Sequence, residues 1–144
     1  MIKVLFLCIH NSAHSQMASS YLQKYGHKKF SAESAGVTPG NLNALAVEVM
    51  MEDGIDISNN PVNDVFDFFK QGKMFDYVIT VCDTNAAESC PVFPSMKQKI
   101  SWSFSDPSQF KGTHDEKLVQ TRIVRNQIKD AVMGFIDDVN VLRQ

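Results

Sequence analysis

Continuous apolar runs alternate along this chain with segments of helical periodicity. Residues 4–7 and 77–81 are rich in β-branched and aromatic side chains, which is typical of strands buried on both faces of a parallel sheet. A helical pattern follows the first run and reaches a stop signal at Gly26. Because strands that alternate with helices build right-handed βαβ units, the sequence predicts an open, parallel α/β sheet.

The remaining elements follow from the same signals. Further strands are predicted at residues 30–35 and 100–104, and a loop at residues 82–96. Helices are predicted after Asn41, after Asn63 or Asp64, and over residues 114–142, since asparagine and aspartate are good helix N-caps.

Composition excludes several classes of protein. The 144 residues are 44% hydrophobic and 21% charged, which is ordinary for one globular domain. Lys and Arg number 14 against 16 Asp and Glu, so no basic excess indicates nucleic acid or an anionic membrane. No apolar run approaches the roughly 20 residues of a membrane span. The three cysteines and the lack of a signal-peptide pattern favour a reducing cytoplasm.

A polar octet begins at Cys8, at the carboxyl end of the first predicted strand, and leads into a helix. Main-chain N–H groups of such a loop, with the helix N-terminus, bind tetrahedral oxyanions and lower the pKa of a nearby thiol. Small Ser12 and Ala13 allow the chain to curl, Asn11 can brace the loop, and Ser15 can donate to the Cys8 sulfur. The alternative is a buried strand-end cysteine followed by an N-cap serine.

Residues 8–18, CIHNSAHSQMA, resemble the phosphate loop of the low-molecular-weight protein tyrosine phosphatase superfamily. The Asn-Ser pair and the SQMA segment resemble its thioredoxin-coupled arsenate reductases, and further similar segments follow in family order to residues 106–107. The resemblance implies a single domain over residues 1–144, with a four-stranded parallel sheet flanked by helices on both faces. We expect no cofactor and no metal, since Ser19 stands where potassium-binding reductases of this family have glutamate. The oxyanion-binding residues that it implies are Ile9, His10, Asn11, Ser12, Ala13, His14 and Ser15.

The resemblance also implies a three-cysteine relay. Cys8 attacks arsenate, Cys82 displaces arsenite from Cys8, and Cys90 attacks Cys82, leaving a disulfide for thioredoxin or a glutaredoxin/glutathione system to reduce. Asp106, in the Asp-Pro pair before residue 108, is implied as the general acid. Without the resemblance, Cys82 and Cys90 read as inert thiols, and Asp106-Pro107 reads as a turn.

Position 14 departs from the family pattern, which has arginine six residues after the nucleophilic cysteine. His14 offers fewer donors than the planar, permanently charged guanidinium, so we expect weaker oxyanion binding and weaker transition-state stabilisation. The leading hypothesis is a cytoplasmic arsenate reductase. Two alternatives stay open: a low-molecular-weight tyrosine phosphatase, and an impaired domain that binds an oxyanion without turnover.

Overall fold

The computed structural model describes residues 1–83 and 98–142. They form four strands and four helices in the order that the sequence predicts. The strands are β1 (Ile2–Cys8), β2 (Phe30–Gly36), β3 (Tyr77–Asp83) and β4 (Gln98–Phe104), and the helices are α1 (His14–Tyr25), α2 (Ala44–Glu52), α3 (Val65–Lys70) and α4 (His114–Leu142).

All four strands are parallel and lie in the order β2-β1-β3-β4. Cys8 at the end of β1 pairs with Gly36 at the end of β2, and Leu7 pairs with Thr80 in β3. The carboxyl ends of the strands therefore meet at one edge of the sheet. In open α/β sheets this edge is where ligands bind.

Helices cover both faces of the sheet. Val4 and Phe6 of β1 belong to a large apolar cluster with residues of α1, α2 and α4, whereas Leu5 and Leu7 pack on the other face with Val65 of α3. Each of these four β1 side chains is completely buried, which explains why the run is continuous rather than alternating. The predicted fold class is confirmed.

One helix boundary differs from the prediction. The helix expected after Asn41 starts at Ala44, because Asn43 is the N-cap and its side chain accepts a hydrogen bond from the Ala46 amide at 3.0 Å. The Asn43 amide in turn donates to the Ser12 carbonyl. The segment that ends at Asn43 is thus held against the loop after β1, and Asn43 itself is extended.

Among residues 1–83 and 98–142, no helix combines the length and the apolar character that crossing a membrane requires.

Candidate functional site

The loop between β1 and α1 turns its carbonyl groups outward. Because a trans peptide places its N–H opposite its C=O, the following amides face the other side. The Asn11 amide, which follows the His10 carbonyl, donates to the Cys8 sulfur at 2.9 Å, so this other side is the side of the sulfur. The carbonyls are held by residues after β2: Val37 N donates to Cys8 O (3.2 Å), Thr38 N to Ile9 O (2.8 Å), Gly40 N to His10 O (3.0 Å) and Asn43 N to Ser12 O (2.8 Å).

We call the loop amides on the side of the sulfur the amide cup. The first turn of α1 adds further amides to this cup. Its N-cap, Ala13, makes no side-chain hydrogen bond, so no side chain of its own caps the helix's first N–H groups. Free amides at a helix N-terminus carry a partial positive charge and attract anions. The loop and α1 together direct the amides of His10, Asn11 and Ser15 at the Cys8 sulfur, an arrangement that can accommodate a tetrahedral oxyanion.

Gly36 lets the loop lie directly against β2. A Cβ at this position would lie 2.7 Å from the Ile9 carbonyl oxygen, 2.8 Å from the Asn11 nitrogen and 2.9 Å from the His10 carbonyl carbon. All three are main-chain atoms, so no side-chain rotation could relieve the clash. Asn11 takes a left-handed conformation (φ 53°), which asparagine tolerates better than most residues.

A chain of hydrogen bonds ends at the Cys8 sulfur. The Asn11 Nδ2 amide donates to the Ser15 hydroxyl oxygen at 2.7 Å, and that oxygen lies 2.9 Å from Cys8 Sγ. Because the Ser15 oxygen accepts from Asn11, its own proton is available for the sulfur. The roles predicted for Asn11 and Ser15 therefore agree with their positions.

Three residues to which the sequence assigned no role at the site support Asn11. The buried Gln16 donates from Nε2 to the Asn11 carbonyl and side-chain oxygens, both at 3.1 Å, and to the Pro61 carbonyl at 3.0 Å. The Asn63 amide donates to Asn11 Oδ1 at 2.9 Å, and Asn60 Nδ2 donates to Gln16 Oε1 at 3.3 Å. From the sequence, Asn63 is only an alternative N-cap for the third helix, and nothing local connects it to Asn11.

The pKa of Cys8 differs from the prediction. The residue is 8% exposed, and burial raises the pKa of its thiol above the ordinary value. Hydrogen bonds from the Ser15 side chain and from the Asn11, Ser15 and His10 amides act in the opposite direction, but burial outweighs them. The predicted lowering of the pKa is therefore wrong for this structure, because loss of hydration dominates the stabilisation by donors.

The other loop residues differ in exposure. Ala13 is buried, Ile9 and Ser12 are partly buried, and His10 is exposed. The His10 Nδ1 donates to the Thr38 carbonyl at 2.9 Å, which directs this nitrogen at the segment after β2. The His10 amide reaches the Cys8 sulfur.

Asp106 follows β4 and begins a short 3-10 turn, Pro107–Gln109. Its Oδ1 accepts from the Ser108 amide at 2.9 Å, and its side chain is partly exposed. Proline at the first position of this turn fixes the main chain beside the carboxyl group. β4 and α1 approach each other here, since His14 Nε2 donates to the Ser105 carbonyl at 2.8 Å.

The relay cysteines are described only in part. Cys82 lies one residue before the end of β3, opposite Ser103 of β4, so its main chain is at the same sheet edge as Cys8. Cys90 lies outside the described residues. Within the described ranges, no group of three His, Cys, Asp or Glu side chains is arranged to hold a metal ion.

Comparison with known proteins agrees with this geometry. The family model of the low molecular weight phosphotyrosine protein phosphatases matches residues 3–141. An arsenate reductase of Halalkalibacterium halodurans is 38% identical over 93% of this chain and 94% of its own length. An arsenate reductase of Bacillus subtilis is 36% identical over the same shares.

Solved structures give the same picture. A structure described as an arsenate reductase in the phosphate-binding state has a TM-score of 0.78 at 28% identity, covering 96% of this chain and 98% of its own. A thioredoxin-dependent arsenate reductase of Corynebacterium glutamicum has a TM-score of 0.72 at 25% identity, covering 100% of this chain and 64% of its own. The parallel sheet, the cup of amides around Cys8 and these matches make the chain a member of the low molecular weight phosphotyrosine protein phosphatase family.

Proposed function

We propose that this protein reduces arsenate to arsenite, with Cys8 as the nucleophile. The observation that carries the proposal is the loop after β1, whose outward carbonyls leave its amides on the side of the Cys8 sulfur. Arsenate is a tetrahedral oxyanion of the size that such a cup binds. The curated relatives at 36–38% identity are arsenate reductases, which favours this oxyanion over others.

In the first step, the thiolate of Cys8 attacks arsenic. A sulfur–arsenic bond forms, and one arsenate oxygen leaves as water after protonation, with Asp106 proposed as the acid. The amides of Ile9 to Ser15 hold the remaining oxygens, His14 among them through its main chain. The Ser15 hydroxyl stabilises the sulfur as an anion before the attack.

In the second step, the thiolate of Cys82 attacks the Cys8 sulfur. A Cys8–Cys82 disulfide forms, and the electron pair of the sulfur–arsenic bond stays on arsenic, which leaves as arsenite. Cys90 then attacks Cys82 and returns Cys8 to the thiolate. Two thiols have become one disulfide, Cys82–Cys90, which balances the two electrons that arsenic gained.

A thiol reductant must then supply two electrons to restore the two cysteines. We propose thioredoxin, because one structural relative is a thioredoxin-dependent arsenate reductase, with glutaredoxin and glutathione as the other candidates. Such reductants are found in a reducing cytoplasm, where we place the protein. No nucleic acid or membrane has a part in this cycle.

The proposal is tested by coupling the protein to thioredoxin, thioredoxin reductase and NADPH. We expect NADPH oxidation that requires arsenate and is lost in Cys8→Ser, Cys82→Ser and Cys90→Ser. Replacing thioredoxin by glutaredoxin and glutathione identifies the reductant. NADPH oxidation that is the same with and without arsenate, with every reductant, would contradict the proposal.

A phosphatase is the second candidate, because the family model is that of phosphotyrosine phosphatases and such an enzyme needs only Cys8, the amide cup and Asp106. Hydrolysis of an aryl phosphate that survives Cys82→Ser, without arsenate-dependent oxidation, would support it. Phosphate binding with neither activity would instead support an impaired oxyanion-binding domain.

A further inference from the structure

His14 connects the loop after β1 to the loop that carries Asp106. It is the first residue of α1, it is 6% exposed, and its Nε2 lies 2.8 Å from the carbonyl oxygen of Ser105. A carbonyl oxygen only accepts hydrogen bonds, so Nε2 carries the proton and donates it. The ring also packs edge-on against Phe104, with centroids 5.9 Å apart.

The bonded carbonyl belongs to the residue directly before Asp106. Asp106 in turn holds the Ser108 amide with Oδ1 and the Gln109 amide with its carbonyl. Pro107 is the buried residue of this turn, whereas Ser105, Ser108 and Gln109 on either side of it are exposed. A buried donor on its preceding carbonyl therefore restrains the turn at the point where it leaves β4.

We propose that His14 is a positioning residue for Asp106. Through the Ser105 carbonyl it fixes the start of the Asp106 turn relative to α1, whose amides hold the oxyanion. The inference rests on the proposed function, since it needs Asp106 as the acid. It assigns the imidazole a role in proton delivery, whereas the family's arginine pattern predicts a side chain that binds the anion.

Two variants separate the donor from the ring. His14→Phe keeps an aromatic ring against Phe104 and removes the donor, whereas His14→Gln keeps an N–H donor and removes the ring. We expect turnover of arsenate to fall about tenfold in His14→Phe and to be largely restored in His14→Gln. The KM for arsenate and the Kd for inorganic phosphate should change less than twofold in both. His27→Asn, remote from this site, is the matched control.

A double-variant comparison tests whether the effect passes through Asp106. In the Asp106→Asn background, His14→Phe should lower turnover less than twofold further, because the acid that it positions is already gone. An equal loss in both backgrounds would overturn the proposal. So would a large rise in the phosphate Kd of His14→Phe with turnover at saturating arsenate unchanged.

A measurement that does not depend on turnover separates the test of this proposal from the test of the proposed function. Amide hydrogen exchange at Ser108 and Phe110 should be faster in His14→Phe than in wild type, and close to wild type in His14→Gln and His27→Asn. Exchange that His14→Phe leaves unchanged would overturn the positioning role, whatever reaction the protein catalyses. Faster exchange in a protein without arsenate reduction would instead refute only the reaction.

Discussion

The Ser15 hydroxyl oxygen lies 2.9 Å from the Cys8 sulfur while it accepts a hydrogen bond from Asn11. This arrangement leaves the hydroxyl proton for the sulfur. It is the largest influence that lowers the pKa of Cys8 against the effect of burial.

Ser15→Ala should therefore raise the pKa of the Cys8 thiol further. A hydrogen bond to a charged group contributes about 1.5 kcal/mol or more, so alkylation of Cys8 by iodoacetamide at pH 7 should slow about tenfold. The measurement is the alkylation rate by mass spectrometry. Ser19→Ala is the control, because its hydroxyl donates within α1, to the Gln16 carbonyl. Equal rates for Ser15→Ala and wild type would contradict the assignment.

The raised pKa of Cys8 also predicts a pH profile. Only the thiolate reacts, and burial favours the neutral thiol, so alkylation at Cys8 should keep rising with pH after a free cysteine has reached its plateau. The double variant Cys82→Ser/Cys90→Ser leaves Cys8 as the one reporter. A plateau below pH 7 would show that donors outweigh burial.

Gly36→Ala should distort the loop after β1, since the new Cβ would clash with main-chain atoms of Ile9, His10 and Asn11. Overpacking of this kind destabilises by about 1–3 kcal/mol. Gly134→Ala is the matched control: nothing lies within 4 Å of its Cβ, and alanine in a helix stabilises by roughly 0.5–1 kcal/mol. Urea unfolding should show the opposite signs, and phosphate affinity should fall only for Gly36→Ala. The same sign for both would refute the contact.

Asp106→Asn should keep the turn and remove the acid. Asparagine also accepts a hydrogen bond from the Ser108 amide, whereas it cannot deliver a carboxylic proton. We expect turnover to fall about 100-fold with little change in phosphate affinity. Asp64→Asn is the control, since Asp64 caps α3 in the same way, through the Phe66 amide. Turnover equal to that of Asp64→Asn would remove Asp106 from the mechanism.

Local sequence patterns were enough to predict most of the fold. The helix that ends at Gly26 and the one at residues 114–142 were predictable, because periodicity and stop signals lie within each segment. The start of α2 was not, because asparagine is a good N-cap at position 41 or 43, and the contact of Asn43 with Ser12 joins residues far apart in sequence.

In the site, too, the features within one segment were predictable and those that join distant segments were not. A strand-end cysteine before a polar loop predicted the cup, since the chemistry lies in consecutive residues. Two other hydrogen bonds of the site join residues far apart in sequence: Asn63 donates to Asn11, and His14 donates to the Ser105 carbonyl. The pKa of Cys8 depends on how much water the finished fold excludes, which no local pattern contains.

The central claim is that Cys8 starts a reaction that ends with a Cys82–Cys90 disulfide. The direct measurement is mass spectrometry of the fully reduced protein after exposure to arsenate, with phosphate as the control anion and arsenite measured in parallel. We predict one Cys82–Cys90 disulfide per arsenite formed, a free thiol at Cys8, and no change with phosphate or in Cys8→Ser. Three unmodified cysteines after arsenate would contradict the account.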